Sequence, residues 1–122
     1  MQLFLIGLFG LFGIFSRYFI DQFIVIRPGQ FPLSTLTVNL LGSFIAGYLF
    51  YVSKQNPSSL LTNALVIGLC GGLTTFSTFS VQILNLLNDQ HYLPALSYMF
   101  LSPLFGLVLA VAGFRLANLV IS

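Results

Sequence analysis

Residues 71–80 of the 122-residue chain read Gly71-Gly72-Leu73-Thr74-Thr75-Phe76-Ser77-Thr78-Phe79-Ser80. Two adjacent glycines and five hydroxyl residues stand here inside a window, 60–87, that is otherwise largely apolar. Each glycine weakens a helix interior by about 1 kcal/mol relative to Ala, and Ser and Thr side chains offer backbone groups other hydrogen-bond partners. A straight helix over this window would be about 42 Å long, well beyond a hydrocarbon core of about 30 Å. We therefore predict a helix that is broken near its middle.

Non-helical backbone inside a membrane is tolerated only where it is buried in protein or lines a cavity. Carbonyl oxygens freed at such a break suit a hard monovalent cation. Phe76 and Phe79 are three residues apart and therefore share one helical face. A phenyl ring has a positive edge, so two edges beside a narrow path can attract a small anion. Contact with lipid is the alternative explanation for this pair, because the chain contains 14 Phe residues.

The sequence contains three other long apolar windows besides 60–87. Hydrophobic residues make up 57% of the chain and charged residues only 5%, against about a quarter in soluble domains. Four windows are long enough to span a bilayer, and they cover 3–26, 33–53, 60–87 and 93–120. Loop-forming runs separate them at 28–29, 54–57 and 88–91. We predict an all-α membrane protein with four transmembrane helices, in which residues 1–122 form a single transmembrane domain.

Neither a cleaved signal peptide, nor nucleic-acid binding, nor an intrachain disulfide is expected from this sequence. The window lacks the basic n-region and the small-residue cleavage site of a signal peptide, so we do not expect it to be cleaved. The net charge of +2 comes from too few residues to imply nucleic-acid binding. The single cysteine, Cys70, cannot form an intrachain disulfide, and we expect it to be a small buried packing residue.

The basic residues specify the orientation in the membrane only weakly. Four spans would put Lys54 and Arg115 on one side and Arg27 on the other. The positive-inside rule counts such residues near helix ends, and two against one is a small bias. Insertion in both orientations, and hence an antiparallel dimer, is one interpretation. Insertion in a single orientation is the other.

A stripe of small and polar residues marks the second predicted helix, and it consists of Thr35, Asn39, Ser43 and Gly47. Because these residues are four apart, they share one face. Small residues let helices approach closely in lipid, which explains the stripe except for Asn39. An Asn in hydrocarbon must either bond a neighbouring helix or face a protein-lined cavity, and both interpretations stay open.

Three runs of residues resemble the hallmark patches of the Fluc (CrcB) family of fluoride channels. They are the run 71–80, the run 35–44 (TLTVNLLGSF), and Gly10, Gly13 and Arg17-Tyr18 in the first helix. The patches stand in the expected order and spacing, and the resemblance covers essentially the whole chain. It therefore implies a fold, a function and a set of site residues for this protein.

The resemblance implies passive fluoride efflux, and resistance to fluoride toxicity, through a multi-pass protein of a bacterial plasma membrane. The partner would be a second, antiparallel copy, giving two fluoride paths, or a paralogue in a heterodimer. A structural sodium ion would be held at the dimer centre by the backbone carbonyls of Gly71 and Thr74, and Arg17 would lie near the vestibule. The fluoride path would be lined by Asn39, Thr75, Phe76, Ser77, Phe79, Ser80, Tyr98 and Ser102.

One position departs from the family pattern. The family commonly has Glu three residues beyond the second Phe, and this chain has Gln82. A role that requires a charge is not implied at this position, but an amide still donates and accepts hydrogen bonds.

Other classes of function fit the residues less well. The sequence contains no nucleophile–base pair, metal-ligand cluster or phosphate-binding loop, so we do not expect an enzyme. A proton-coupled carrier needs a titratable carboxylate inside the membrane. The only candidate is Asp21, which is four residues from Arg17 and placed to pair with it. An assembly subunit without transport would leave the polar face of the second helix unexplained.

Overall fold

The computed structural model describes all 122 residues and is entirely helical. Four helical segments are long and apolar enough to cross a membrane. The first, second and last are continuous helices: α1 is Gln2–Phe23, α2 is Leu33–Gln55 and α5 is Tyr92–Ile121. The third, Leu60–Asn88, is made of α3 (residues 60–73) and α4 (Phe76–Asn88). The predicted four spans and the predicted break in the third are both confirmed.

The break lies at Thr74 and Thr75, just after the glycine pair rather than within it. Thr74 has ψ 157° and Thr75 has φ −150°, both extended, whereas Gly71–Leu73 is still helical. Gly72 is needed for packing, because a Cβ there would lie 2.5 Å from the carbonyl oxygen of Gly10 in α1. Gly72 therefore lets α3 pack against α1, and the extended threonines end the helix.

The first half of the third span contains a feature that the sequence did not indicate. After an α-helical start at Leu60–Ala64, the segment Leu65–Cys70 is a π-helix, and Gly71–Leu73 returns to α-helix. A π-turn holds an extra residue and is frequent at functional sites. Residues after it are therefore rotated relative to an unbroken α-helix.

Helices α2 and α5 pack closely against each other along their lengths. Two glycines make this approach possible, one on each helix. A Cβ at Gly47 would overlap the backbone of Ala110, and a Cβ at Gly113 would overlap the carbonyl of Phe44. Ser43 and Gly47 of the small-residue stripe predicted for α2 thus meet the fourth span, as expected for helices that associate in lipid.

Helix α1 ends at Phe23, three residues before the predicted window does, and an irregular connection leads to Leu33. This connection meets the turn after α4, where the imidazole of His91 covers Gly29 so closely that no Cβ would fit. Gly29 also has φ +79°, which glycine adopts without strain. The connections after α1 and after α4 consequently lie at the same end of the bundle, as four consecutive spans require.

Candidate functional site

The side-chain amide of Asn39 holds the break in the third span. Its Oδ1 accepts a hydrogen bond from the N–H of Thr75 at 2.8 Å, and its Nδ2 donates to the carbonyl of Thr75 at 3.1 Å. Asn39 in α2 thus replaces both helical partners of an extended residue in the neighbouring span. The interhelical bond was one of the two interpretations of Asn39 left open by the sequence.

Gly71 and Thr74 are among the residues whose carbonyls lose their helical donors at this break. The N–H of Thr75, which would bond to Gly71 in a continuous helix, donates to Asn39 instead. The N–H of Thr78, which would bond to Thr74, donates to the hydroxyl of Thr75 at 3.2 Å, an N-cap of α4. Gly71 and Thr74 were the carbonyls expected to bind sodium, and the geometry frees them both from the helix.

Arg17 lies beside one of these carbonyls. Its Nη1 is 3.4 Å from the oxygen of Thr74, which is a long hydrogen bond. The sequence-based pairing of Arg17 with Asp21 is wrong: Asp21 accepts a hydrogen bond from the hydroxyl of Ser34 instead. Arg17 points along α1 towards the break, and Asp21 points towards the beginning of α2.

A cleft of about 650 Å³ opens beside the break on the surface of the single chain. Its walls come from α2, α3, α4 and α5, and none of its 16 lining residues is charged. The lining includes seven of the residues implied by the family resemblance, namely Asn39, Gly71, Thr74, Thr75, Phe76, Phe79 and Ser102. Asn39 therefore bonds a neighbouring helix and also faces a protein-lined cavity.

The cleft contains further residues that were not predicted as site residues, among them Ser43, Cys70 and Gly106. Ser43 was visible as a member of the four-residue stripe that includes Asn39. Cys70 lies at the end of the π-helix, and nothing in the sequence indicated that turn. Cys70 is buried, as expected, and it stands one residue before a freed carbonyl.

The aromatic rings form a short row beside the cleft. Phe76 and Phe79 have centroids 5.8 Å apart, and Phe79 meets Tyr98 edge-on at 4.8 Å. Tyr98 is completely buried, whereas Phe76 is 79% exposed. Only one of the two phenylalanines is therefore anchored by packing within the chain.

Gln82 ties the aromatic row to α2. Its Nε2 donates to the hydroxyl of Thr35 at 2.8 Å, and its Oε1 accepts from the hydroxyl of Tyr98 at 2.9 Å. An amide can serve both partners because it has a donor end and an acceptor end. The residue that departs from the family pattern thus makes a neutral bridge between three helices.

Three residues expected on the fluoride path lie outside the cleft of the single chain. Tyr98 is buried behind Phe79, as described above. Ser80 donates its hydroxyl hydrogen bond to the carbonyl of Phe76 in its own helix. Ser77 is exposed, with its hydroxyl 3.4 Å from that of Thr75. The chain alone brings Ser77 and Ser80 close to the break but not into its cavity.

The fold and the site define the class as a four-span helical membrane protein with a broken third span beside an uncharged polar cleft. The family model described as CrcB-like protein, Camphor Resistance (CrcB), matches residues 4–114, which include the whole lining of the cleft. The chain belongs to this family.

Curated relatives in bacteria agree with that assignment. The relative from Stutzerimonas stutzeri (strain A1501) is 44% identical over 94 residues, 75% of this chain and 76% of the relative. The relative from Hahella chejuensis (strain KCTC 2396) is 36% identical over 109 residues, 87% and 86% of the two chains. Both are named fluoride-specific ion channel FluC.

A third relative, from Listeria innocua serovar 6a, is 35% identical over 115 residues, 93% of this chain and 88% of the relative. It is named fluoride-specific ion channel FluC 2. The relatives are named as channels, in agreement with the expectation that this chain is not an enzyme.

Proposed function

We propose that this protein is a fluoride-selective ion channel that lets fluoride leave the cell passively and so protects the cell from fluoride toxicity. The observation that carries the proposal is the family match over residues 4–114 together with relatives named as fluoride-specific channels. The matched range contains the break, the cleft and the aromatic row. The protein would act in the plasma membrane.

The donors around the cleft support an anion path. One N–H of the Asn39 amide is bonded to Thr75, and an amide nitrogen has two hydrogens, so the other is free for an ion. The N-terminus of α4, which carries a partial positive charge, also begins at the break. Such dipoles replace water around a small anion without a fixed countercharge. Because no carboxylate lines the cleft, a proton-coupled carrier is less well supported.

A second, antiparallel copy is the partner that we propose for the open side of the cleft. Gly71 has nothing within 4 Å of the position of a Cβ, and Phe76 is mostly exposed. A copy placed there would cover both residues and complete the path. Some relatives have names ending in 1 or 2, so a paralogue in a heterodimer remains the alternative partner.

We also propose a structural sodium ion at the centre of this dimer. The carbonyls of Gly71 and Thr74 from two copies would supply four oxygens, and all four lack their helical donors for the reason given above. Backbone oxygens at a broken helix suit this ion. Arg17 would have to withdraw from the oxygen of Thr74 when the ion binds, because the two cations repel each other.

The test of the channel is flux from liposomes that contain the purified protein, followed with an ion-selective electrode. We expect fluoride to leave much faster than chloride and to do so without a pH gradient. Equal rates for the two anions, or flux that stops without the gradient, would contradict a fluoride channel and favour another pore or a carrier.

The test of the dimer uses cysteine labelling from the two sides of the membrane. Cys70→Ala provides a background without a native thiol, since Cys70 is the single cysteine. A cysteine at the C-terminus should react with an impermeant reagent from both sides if the copies are antiparallel. Labelling from one side only would rule out dual topology for this chain.

A further inference from the structure

A second cavity, of about 360 Å³, lies where α1, α2 and α4 meet the connection that follows α1. We call it the outer cavity. Its polar residues are Asp21, Gln22, Ser34, Thr35, Thr78 and Gln82, and its remaining lining is the aliphatic run 24–26. It shares no lining residue with the cleft beside the break.

Hydroxyl and amide groups nevertheless connect the two cavities. Thr75, the N-cap of α4, lines the cleft, and Thr78 in α4 lines the outer cavity; the hydroxyl of Thr75 donates to that of Thr78 at 3.1 Å. On α2, Asn39 in the cleft is one turn from Thr35 in the outer cavity. A polar track therefore runs from the break to the end of the bundle.

Asp21 is the only charged residue that lines either cavity. It is exposed, and the hydroxyl of buried Ser34 holds its carboxylate at the opening. Helix stability does not explain this acid, because it lies in the last turn of α1, where the helix dipole disfavours negative charge. Its basic neighbour in sequence, Arg17, is directed at the break and does not neutralise it.

We infer that the outer cavity is a mouth of the fluoride path and that Asp21 lowers the occupancy of this mouth by anions. The inference rests on the proposed function. A carboxylate near the path repels every anion, and it repels a doubly charged anion twice as strongly as fluoride. Asp21 would thus lower fluoride conductance to some extent and would exclude doubly charged anions, such as sulfate and hydrogenphosphate, more strongly.

The experiment compares Asp21→Asn with Asp89→Asn in liposomes, at fluoride concentrations below saturation. Asparagine keeps the oxygen that accepts from Ser34, so the local hydrogen bond survives. Asp89 is the matched control, because it lies in the turn after α4 at the same end of the bundle but outside the outer cavity. Ionic strength is varied with an impermeant salt, since screening extends over about 30 Å at 0.01 M and only about 3 Å at 1 M.

We expect Asp21→Asn to raise fluoride flux about two- to five-fold at 0.01 M ionic strength and to match the wild type at 1 M, while Asp89→Asn has a much smaller effect. Flux of Asp21→Asn equal to the wild type at low salt would overturn the inference. So would an equal rise in both variants, or a rise that persists at 1 M. A wild-type protein that passes no fluoride would instead contradict the proposed function.

Discussion

Replacing Asn39 by Ala removes both hydrogen bonds that hold the break. It leaves the N–H and the carbonyl of Thr75 without partners, and a buried polar group that loses its partner costs about 1–3 kcal/mol. The site is only partly buried and its cleft is open, so water can reach it and each cost falls near the lower end of that range. We therefore expect a loss of about 2–3 kcal/mol in the free energy of unfolding, together with loss of fluoride flux.

The matched control is Thr37→Ala. Thr37 is two residues away on α2 and exposed, and its hydroxyl bonds only to Leu33 in its own helix, at 2.7 Å. This variant should change the unfolding free energy by less than about 0.5 kcal/mol, as exposed surface substitutions usually do. The assay is denaturant unfolding of the purified protein in detergent micelles, with flux measured on the same preparations.

Asn39→Asp separates the hydrogen bonds from simple loss of volume. A carboxylate still accepts from the N–H of Thr75, but it faces the carbonyl of Thr75 with no hydrogen to donate. Protonation restores that donor, so this variant should gain stability relative to the wild type as the pH falls. The reasoning is refuted if Asn39→Ala unfolds like Thr37→Ala, or if Asn39→Asp is as stable as the wild type at neutral pH.

Four further substitutions test the remaining roles. Gly71→Val should disrupt the dimer and flux, whereas Thr74→Ala keeps its backbone oxygen and should keep most of both. A Cβ at Gly71 meets nothing within 4 Å in one chain, so a harmful effect of Gly71→Val would come from contact with a second copy. If Gly71→Val elutes in size exclusion and conducts fluoride like the wild type, the proposed interface is contradicted. Phe79→Ile should suppress flux about 10-fold or more while the dimer stays intact, because only the ring edge is lost; dissociation of the dimer would show a packing role instead. Gln82→Leu leaves the hydroxyl of buried Tyr98 without its acceptor and should lower the free energy of unfolding by about 1–3 kcal/mol. If this variant is as stable as the wild type in denaturant, the bridge does not contribute to stability.

The four spans could be predicted because they depend on composition and length, which act over twenty residues at a time. The break was predictable as well, since glycine and hydroxyl residues weaken a helix wherever they occur. The exact position of the break was harder to predict from the sequence. The break falls after the glycine pair because of contacts with neighbouring helices: Gly72 packs against Gly10, and Asn39 bonds Thr75, and both interactions are tertiary.

The π-helix at Leu65–Cys70 and the bridge through Gln82 had no local signal. A π-turn depends on which register suits the neighbouring helix, and a side-chain bridge depends on residues 16 and 47 positions away along the chain. The pairing of Arg17 with Asp21 failed for the same reason. Spacing on one helix permits such a pair, but the freed carbonyl of Thr74 and the hydroxyl of Ser34 are better placed partners.

Asn39 also explains why a helix-bonding residue and a cavity-lining residue need not be alternatives. The hydrogen bonds to Thr75 fix which end of the amide is nitrogen, because the N–H of Thr75 must meet oxygen and its carbonyl must meet a donor. One N–H of Asn39 is thereby committed to the protein, and the other is held rigidly beside the cleft. A donor that is already oriented loses little entropy when it replaces water around an ion. The group that stabilises the broken backbone would thus also be the group prepared to receive fluoride.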